Sequence, residues 1–199
     1  ERTYRMFACS GDARPFWTYR RLVDASQFRP DAYPRDIAMI NWQGNDFCGP
    51  GLYSTDPQRQ ARALVEAKRV ALGFLHWLQT EAPRDEGGRG YPELELERKL
   101  MGSEDGLSKH PYMREARRGL TLDTVREPDI SAEFQGAARA RLFPNSVGLG
   151  HYFIDLHHCR GPRFSAPTRP FQIPLGVLIP RRVENLILAA KNVGTTHLS

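Results

Sequence analysis

The sequence predicts an α+β fold, an antiparallel or mixed sheet with one long helix, and predicts that the chain is a fragment of a larger α/β protein. Three observations support this. Residues 57–80 have a helical pattern, residues 146–158 alternate with the period of a strand, and residues 186–190 form a continuous apolar run. Such a run suits a strand buried on both faces of a parallel sheet. Since few preceding residues offer parallel neighbours, we expect the sheet around residues 186–190 to be completed from outside this chain.

The long helix is the clearest element of the sequence. Thr55 or Asp56 can cap its first turn, and Pro57 suits the first helical position because the amide hydrogen that proline lacks would be unpaired there. Apolar side chains recur three and four residues apart on one face: Leu64, Ala67, Ala71, Phe74, Leu75 and Leu78. Prolines and glycines within residues 82–91 predict that the helix ends near residue 80.

Shorter elements are predicted on both sides of the helix. They are strands over residues 3–9, 37–41, 120–125 and 146–158, a strand or helix over 94–100, a short helix over 112–118, and an extended segment over 166–179. In the 146–158 strand, alternation places His151, Asp155 and His157 on one face. Alternate residues of a strand lie about 6.6 Å apart, so a metal ion there would need a ligand from elsewhere. We therefore expect no metal site.

The charge of the chain favours a small anionic ligand. The net charge is +5, from 28 basic and 23 acidic residues. Because the basic residues are scattered and mixed with acids, we expect no nucleic-acid partner. Arginine pairs well with carboxylates and phosphates, so the excess suits an anionic substrate or cofactor. No apolar run approaches the roughly 20 residues of a membrane span, and we expect no membrane partner.

The three cysteines, Cys9, Cys48 and Cys159, are widely separated, and the sequence has no CxxC motif. An odd number of distant cysteines argues against a disulfide framework. We therefore expect no disulfide framework and a reducing compartment, the cytoplasm.

Four blocks, in order along the chain, together resemble one protein family. They are DIAMINWQGNDFCGP at residues 36–50, KHPYMREARRGLTL at 109–122, NSVGLGHYFIDLH at 145–157, and residues 170–197, which end in IPLGVLIPRRVENLILAAKNVGTTH. The set resembles FAD-dependent oxidoreductases, the glutathione-reductase-like two-domain flavoproteins. The resemblance implies a substrate-binding domain over residues 1–180 and, over residues 181–199, the returning strand of an incomplete FAD-binding domain.

The resemblance implies an enzyme that transfers a hydride between a small organic substrate and the flavin of FAD. The glycine signature that holds the FAD diphosphate, G-x-G-x-x-G, is absent, since Gly148 and Gly150 are followed by His151 and nothing completes the pattern. We therefore expect FAD in the full-length protein, held together with a missing FAD-binding portion, and expect this chain alone to be inactive without it. The alternative is a stand-alone binding module for a sugar or an acid, without redox activity.

The loop after the 37–41 strand is a candidate substrate site. Asn41, Asn45 and Asp46 offer hydrogen-bond donors and acceptors, and Trp42 offers a flat apolar wall. The resemblance supports a role in orienting a substrate over the flavin. The same residues also suit a structural role, with Asn45 and Asp46 capping turns and Trp42 in the core.

Arg117 and Arg118 are candidate ligands for an anionic substrate or cofactor group. They lie in a block that resembles the family's RESRR segment, with Ala116 in place of the hydroxyl-bearing residue. The alternative is a surface turn in which one arginine pairs with Glu115, which would add little stability.

His151 is the candidate catalytic residue, orienting the substrate or donating a proton near the flavin. The alternative is a histidine hydrogen-bonded within the sheet. We expect Asn45, His151 and the turn at residues 195–197 to line one cavity.

The turn after the apolar run lies where open α/β sheets place ligands. The resemblance implies that this turn approaches the flavin, and its candidate cofactor residues are Lys191, Asn192, Thr195, Thr196 and His197. Many flavoproteins have a Gly-Asp pair here, and this sequence has Ala190 and Lys191 instead. Lys191 would favour an anionic reduced flavin if it faces the ring, and otherwise faces solvent.

Overall fold

A computed structural model describes residues 5–7, 15–113, 117–136, 139–156 and 164–196. The chain divides into two compact units, unit 1 over residues 1–111 and unit 2 over residues 112–199. The predicted α+β architecture is confirmed, with small antiparallel sheets and one long helix. The predicted domain boundary after residue 180 stays a prediction.

Unit 1 contains the long helix and one small sheet. Its elements are a 3₁₀ helix at Thr18–Arg20, β1 at Arg21–Val23, 3₁₀ helices at Ala25–Gln27 and Gln43–Asn45, β2 at Ile37–Ala38, α1 at Pro57–Thr80 and α2 at Arg98–Met101. β1 and β2 pair antiparallel, with Arg21 opposite Ala38 and an irregularity before Val23. The carboxylate of Asp36 supports this pair by accepting hydrogen bonds from Arg21 and from the backbone N–H of Ala25, at 3.1 and 2.8 Å.

The predicted bounds of α1 are confirmed at both ends. The carboxylate of Asp56 accepts a hydrogen bond from the backbone N–H of Gln58 at 2.9 Å, which satisfies one of the unpaired amides of the first turn. Beyond the last turn, Gly90 has a φ of +77° and a Cβ there would lie 2.5 Å from the carbonyl oxygen of Gln79. Only glycine lets the chain pass this close to the helix end.

The core of unit 1 lies on the apolar face of α1 that the sequence predicts. Phe74 and Leu75 pack against a buried cluster formed by Met6, Phe16, Leu78, Ala82, Tyr91 and Leu94. The carboxylate of Asp85 accepts hydrogen bonds from the backbone N–H groups of Met6 and Phe7, both at 2.7 Å. This contact fastens the segment at residues 5–7 to the turn that follows α1.

Unit 2 consists of short strands and turns around a second core. Its elements are α3 at Glu127–Ile130, β3 at Ser146–Gly150, β4 at Ile154–Leu156, β5 at Phe164–Ala166, β6 at Phe171–Pro174, and 3₁₀ helices at Leu175–Val177 and Ala190–Asn192. β3 pairs antiparallel with β6, and β4 pairs antiparallel with β5. Val125, Ile130, Ile154 and Val177 form the buried core.

Several predicted strands are shorter than expected or wrong. The 146–158 strand is two strands, β3 and β4, because the chain changes its pairing partner at residues 151–153. Residues 5–7 are not a strand, and the rest of the 3–9 prediction lies outside the described residues. Residues 120–125 contribute only isolated bridges, from Thr121 to Pro180 and from Val125 to Thr195. Residues 94–100 contain the start of the helix α2, one of the two alternatives.

The buried strand predicted over residues 186–190 is wrong in this structure. Leu186 and Ile187 are 45% and 68% exposed, and residues 186–189 have no regular secondary structure. Within the described part of the chain, this run has no strand beside it to complete a ladder. Asn185 and Ala190, at either end of the run, have left-handed backbone with φ of +51° and +59°, which also interrupts extension.

Cys48 is disulfide-bonded, a bond that the sequence analysis does not predict. Cys9 and Cys159 lie outside the described residues. Sequence separation misled the prediction, since a disulfide requires that two Cα atoms come within about 7 Å in space, whatever their distance along the chain. The cytoplasmic location stays a prediction. No helix of the described residues is both long enough and apolar enough to cross a bilayer.

Candidate functional site

The predicted substrate loop lies in unit 1, directly after β2. A 3₁₀ turn closes it, with the backbone N–H of Asn45 donating to the carbonyl of Trp42 at 2.9 Å. The indole of Trp42 packs edge-on against Phe16, with ring centroids 4.3 Å apart, so its contact with the core is confirmed. Asn41 is exposed, and Asp46 is half-buried.

The same loop holds two buried polar atoms without a partner. The indole Nε1 of Trp42 and the side-chain Oδ1 of Asn45 make no hydrogen bond within the described residues. A buried polar atom left unpaired costs about 1–3 kcal/mol, so a donor and an acceptor in one turn are a chemically costly feature.

The predicted arginines and the predicted cofactor turn come together in unit 2. The Nε of Arg118 donates a hydrogen bond to the Oγ1 of Thr195 at 3.1 Å. The side-chain amide of Asn192 donates to the carbonyl of Arg117 at 3.1 Å, and the N–H of Gly119 donates to the carbonyl of Asn192 at 2.8 Å. These contacts join the RESRR-like block to the last turn of the chain.

Lys191 is a second cation of this region. Its Nζ donates to the carbonyl of Met113 at 3.0 Å and lies 3.6 Å from the centroid of the Tyr112 ring. The ring face attracts the ammonium group, and the carbonyl takes only one of its three N–H donors. The region therefore combines the guanidinium group of Arg118, the ammonium group of Lys191 and the hydroxyl of Thr195, which suits an anionic or carbonyl-rich ligand.

Close backbone packing holds the turn at residues 193–196 in place. The N–H of Thr196 donates to the carbonyl of Val125, and the N–H of Val125 donates to the carbonyl of Gly194, both at 3.0 Å. A Cβ on Gly194 would lie 1.7 Å from the Oγ1 of Thr121, which is itself only 2% exposed. Sequence reasoning missed Thr121 and Gly194 as supports of the site, since a threonine and a glycine 73 positions apart carry no local signal.

Of the two predicted histidines, the structure describes only His151. His151 is exposed and lies between β3 and β4, so it belongs to neither strand. His197 lies outside the described residues, as do Asp155's predicted companion His157 and residues 114–116. The expected convergence of Asn45, His151 and residues 195–197 on one cavity stays a prediction. Over the residues that the structure describes, no group of three or more His, Cys, Asp or Glu side chains is arranged for a metal ion.

Fold and site together define an α+β protein with a cationic turn suited to an anionic or carbonyl-bearing ligand. A family model for FAD dependent oxidoreductases matches residues 3–199. The chain belongs to this family, and it therefore comes from a family of redox flavoproteins whose full-length members bind FAD. Comparisons with curated proteins and with solved structures gave no significant match.

Proposed function

We propose that this chain is the substrate-binding part, with the returning segment of the FAD domain, of a glutathione-reductase-like flavoenzyme that transfers a hydride between a small organic substrate and flavin. Membership of the FAD-dependent oxidoreductase family over residues 3–199 supports the redox role. The observation that carries the site is the hydrogen bond between Arg118 and Thr195, since it joins the candidate anion-binding block to the candidate cofactor turn.

The residues of the last turn fit the flavin end of FAD. Lys191 keeps N–H donors beyond the one that Met113 accepts, and these suit the carbonyl and anionic groups of a flavin ring. The described residues do not form the strand, glycine turn and helix that would hold the diphosphate, and we assign that part of the cofactor to the portion of the protein beyond this chain. When bound, FAD supplies the hydride-accepting chemistry.

The chain's own residues position the reactants. Lys191, Asn192, Thr195, Thr196 and His197 form the cofactor side of the proposed site. Arg117 and Arg118 neutralise an anionic group of substrate or cofactor, and a positively charged surrounding stabilises negative charge that develops on the flavin. Asn41, Trp42, Asn45 and Asp46 orient the substrate. His151 holds or donates a proton to the substrate.

The visible absorption spectrum of the full-length protein tests this proposal. We expect the bands of a bound, oxidised flavin that releases as FAD on denaturation, and no such bands for residues 1–199 alone. A full-length protein that stays colourless and cannot be reconstituted with FAD would overturn the redox assignment and leave the binding-module alternative.

A change at Arg118 tests the assignment of the site. In the full-length protein, Arg118→Gln should weaken binding of FAD or of an anionic substrate about tenfold or more, because a hydrogen bond to a charged group is worth about 1.5–3 kcal/mol. Arg59→Gln is the matched control, since Arg59 lies on the exposed first turns of α1. Equal behaviour of the two variants would show that the flavin site lies elsewhere.

A further inference from the structure

Unit 2 has a polar cleft whose lining does not include Arg118 or the turn at Thr195. Its volume is about 460 Å³, within the range of small-molecule sites. The polar side chains that line it are Asp123, Thr124, Arg126, Asp129, Arg141 and Arg181. Three of these six are arginines, and a cleft with this lining suits a hydrophilic and negatively charged ligand.

The three arginines differ in their hydrogen bonds to the protein, and each keeps N–H donors that could bind a ligand. The Nε of Arg181 donates to the carbonyl of Thr121 at 2.6 Å, which leaves the two terminal nitrogens of its guanidinium group for a ligand. The Nη1 of Arg141 donates to Asp129 at 3.0 Å, and its guanidinium carbon lies 4.9 Å from the centroid of the Phe143 ring. The guanidinium group of Arg126 makes no hydrogen bond or ion pair to any described residue.

The two acidic residues of the cleft offset only part of the charge of its three arginines. Both oxygens of Asp129 are engaged, Oδ1 by Arg141 and Oδ2 by the backbone N–H of Arg126 at 2.9 Å. Asp129 is also only 8% exposed, so it acts mainly as an anchor for the two arginines beside it. With Asp123 as the other acid, the lining keeps a net positive charge.

Asp123 and Thr124 add groups that recognise hydroxyls. The Oδ2 of Asp123 accepts a hydrogen bond from the side-chain amide of Asn145 at 3.0 Å, and the carboxylate has further lone pairs to accept from a ligand hydroxyl. Thr124 is exposed, and its hydroxyl group can donate or accept. The cleft therefore combines donors for an oxyanion with partners for hydroxyl groups.

The backbone that carries these groups is held by long-range hydrogen bonds. The N–H of Leu122 donates to Ile179 at 3.0 Å, and the N–H of Asp123 donates to Gly176 at 3.1 Å. A Cβ on Gly176 would lie 2.2 Å from the Oδ2 of Asp123, so the side chain of Asp123 is packed directly on that glycine. The cleft is thus formed before a ligand arrives, which lowers the cost of binding.

We propose that this cleft binds a small hydroxylated molecule that carries a carboxylate or phosphate group, such as a sugar acid or a sugar phosphate. The free N–H groups of Arg126 and Arg181 bind the oxyanion, for which the planar guanidinium group is well matched. Asp123 and Thr124 bind hydroxyl groups of the same ligand. The proposal does not depend on the flavin, because none of these residues belongs to the proposed cofactor turn.

Isothermal titration of the protein with D-gluconate and with D-glucose 6-phosphate, at one fixed ionic strength, tests the proposal. D-glucose is the neutral control ligand. We expect saturable binding of at least one anionic probe and no detectable binding of glucose. Arg126→Gln should weaken that binding about tenfold or more, and the charge reversal Arg126→Glu should abolish it, since each charge-assisted hydrogen bond contributes about one order of magnitude or more.

Arg59→Gln is again the control and should bind like the unchanged protein. Arg126 is exposed and its guanidinium group holds no other described residue, so its variants should keep the circular dichroism spectrum and melting temperature of the parent. If neither anionic probe binds saturably, or if both Arg126 variants bind as tightly as the parent, the proposal is wrong. Because Arg118 is unchanged in all of these proteins, flavin content gives an independent result for the proposed redox function.

Discussion

Arg118 donates a hydrogen bond from its Nε to the Oγ1 of Thr195, a residue 77 positions further along the chain. The bond is partly buried and links two segments that have no regular secondary structure apart from short bridges and a 3₁₀ turn. A charged donor in such a place strengthens the contact, because a hydrogen bond that involves an ionised group is stronger than a neutral one.

Removing the acceptor of this bond should loosen unit 2. Thr195→Val keeps the shape of the side chain but leaves the Nε of Arg118 without its hydroxyl partner, so we expect unfolding free energy to fall by about 1.5–3 kcal/mol. Urea denaturation measures this loss. Thr55→Val, at an exposed position before α1, should change it by less than about 0.5 kcal/mol. Similar values for both variants would mean that the Arg118–Thr195 bond adds no net stability.

The pair Gly194 and Gly73 should respond to alanine in opposite directions. A Cβ on Gly194 would lie 1.7 Å from the Oγ1 of Thr121 and 2.6 Å from the carbonyl of Asp123, so Gly194→Ala should destabilise the protein by about 3 kcal/mol or more. Gly73 lies inside α1 with nothing within 4 Å of the added Cβ, so Gly73→Ala should stabilise it by about 1 kcal/mol. Thermal denaturation of both variants distinguishes these outcomes, and a tolerated Gly194→Ala would contradict the close packing of this turn.

Ala190 carries backbone strain that glycine should relieve. Its φ of +59° is left-handed, which costs a non-glycine residue about 1–2 kcal/mol. Glycine would remove this strain, but it loses more chain entropy on folding than alanine does, which offsets part of the gain in stability. We expect Ala190→Gly to raise the unfolding free energy by about 0.5–1 kcal/mol in urea denaturation. The neighbouring Ala189 has an extended backbone with φ of −131°, so Ala189→Gly should lower it instead. The same sign in both variants would argue against left-handed strain at Ala190.

Asp36 should give unit 1 an acid-sensitive part of its stability. The hydrogen bond from the backbone of Ala25, followed by that from Arg21, holds the pKa of Asp36 below its ordinary value of 3.8. A carboxyl group whose pKa is lower in the folded state adds stability above its unfolded pKa, and this stability is lost as pH falls through the folded pKa. The difference in stability between the parent and Asp36→Asn should therefore be constant near neutral pH and shrink as the pH falls below about 4.

Asp31 provides the control for this pH dependence. Its pair with Arg29 is 3.6 Å long and both side chains are largely exposed, so Asp31→Asn should show a much smaller difference at every pH. Unfolding by urea at a series of pH values gives both curves. A difference for Asp36→Asn that does not change with pH would disprove the link between its hydrogen bonds and its pKa.

Both ends of α1 could be predicted because they depend on neighbouring residues. The strands could not, because they depend on partners far away in the sequence. The carboxylate of Asp56 and the apolar spacing up to Leu78 are visible within a few neighbouring residues. The apolar run at residues 186–190 looked like a buried strand, but its burial depends on a partner strand, which the described residues do not provide. Likewise, alternation in residues 146–158 could not show that β3 and β4 pair with different strands.

The sequence predicted which segments form the candidate site, but not the contacts between them. Sequence blocks pointed to Arg117, Arg118 and the turn at residues 191–196, and the structure brings these together in unit 2. Nothing in the sequence pointed to the carbonyl and ring that hold Lys191, or to Asp129 as the anchor of Arg126 and Arg141. Such contacts depend on how turns far apart in the chain fold back on each other.

The strands of unit 2 are nested, since β4 and β5 pair inside β3 and β6, and this order has a consequence for how the unit forms. The inner pair joins Asp155 to Ser165 and closes a short loop, and the outer pair can then form with little further loss of chain entropy. We expect the two pairs to form from the inside outward, with the hydrogen bond from Thr168 to the carbonyl of Tyr152 at 2.7 Å made between them. In folding kinetics, Ile154→Val in the inner pair should then slow refolding, whereas Ile173→Val in the outer pair should mainly speed unfolding.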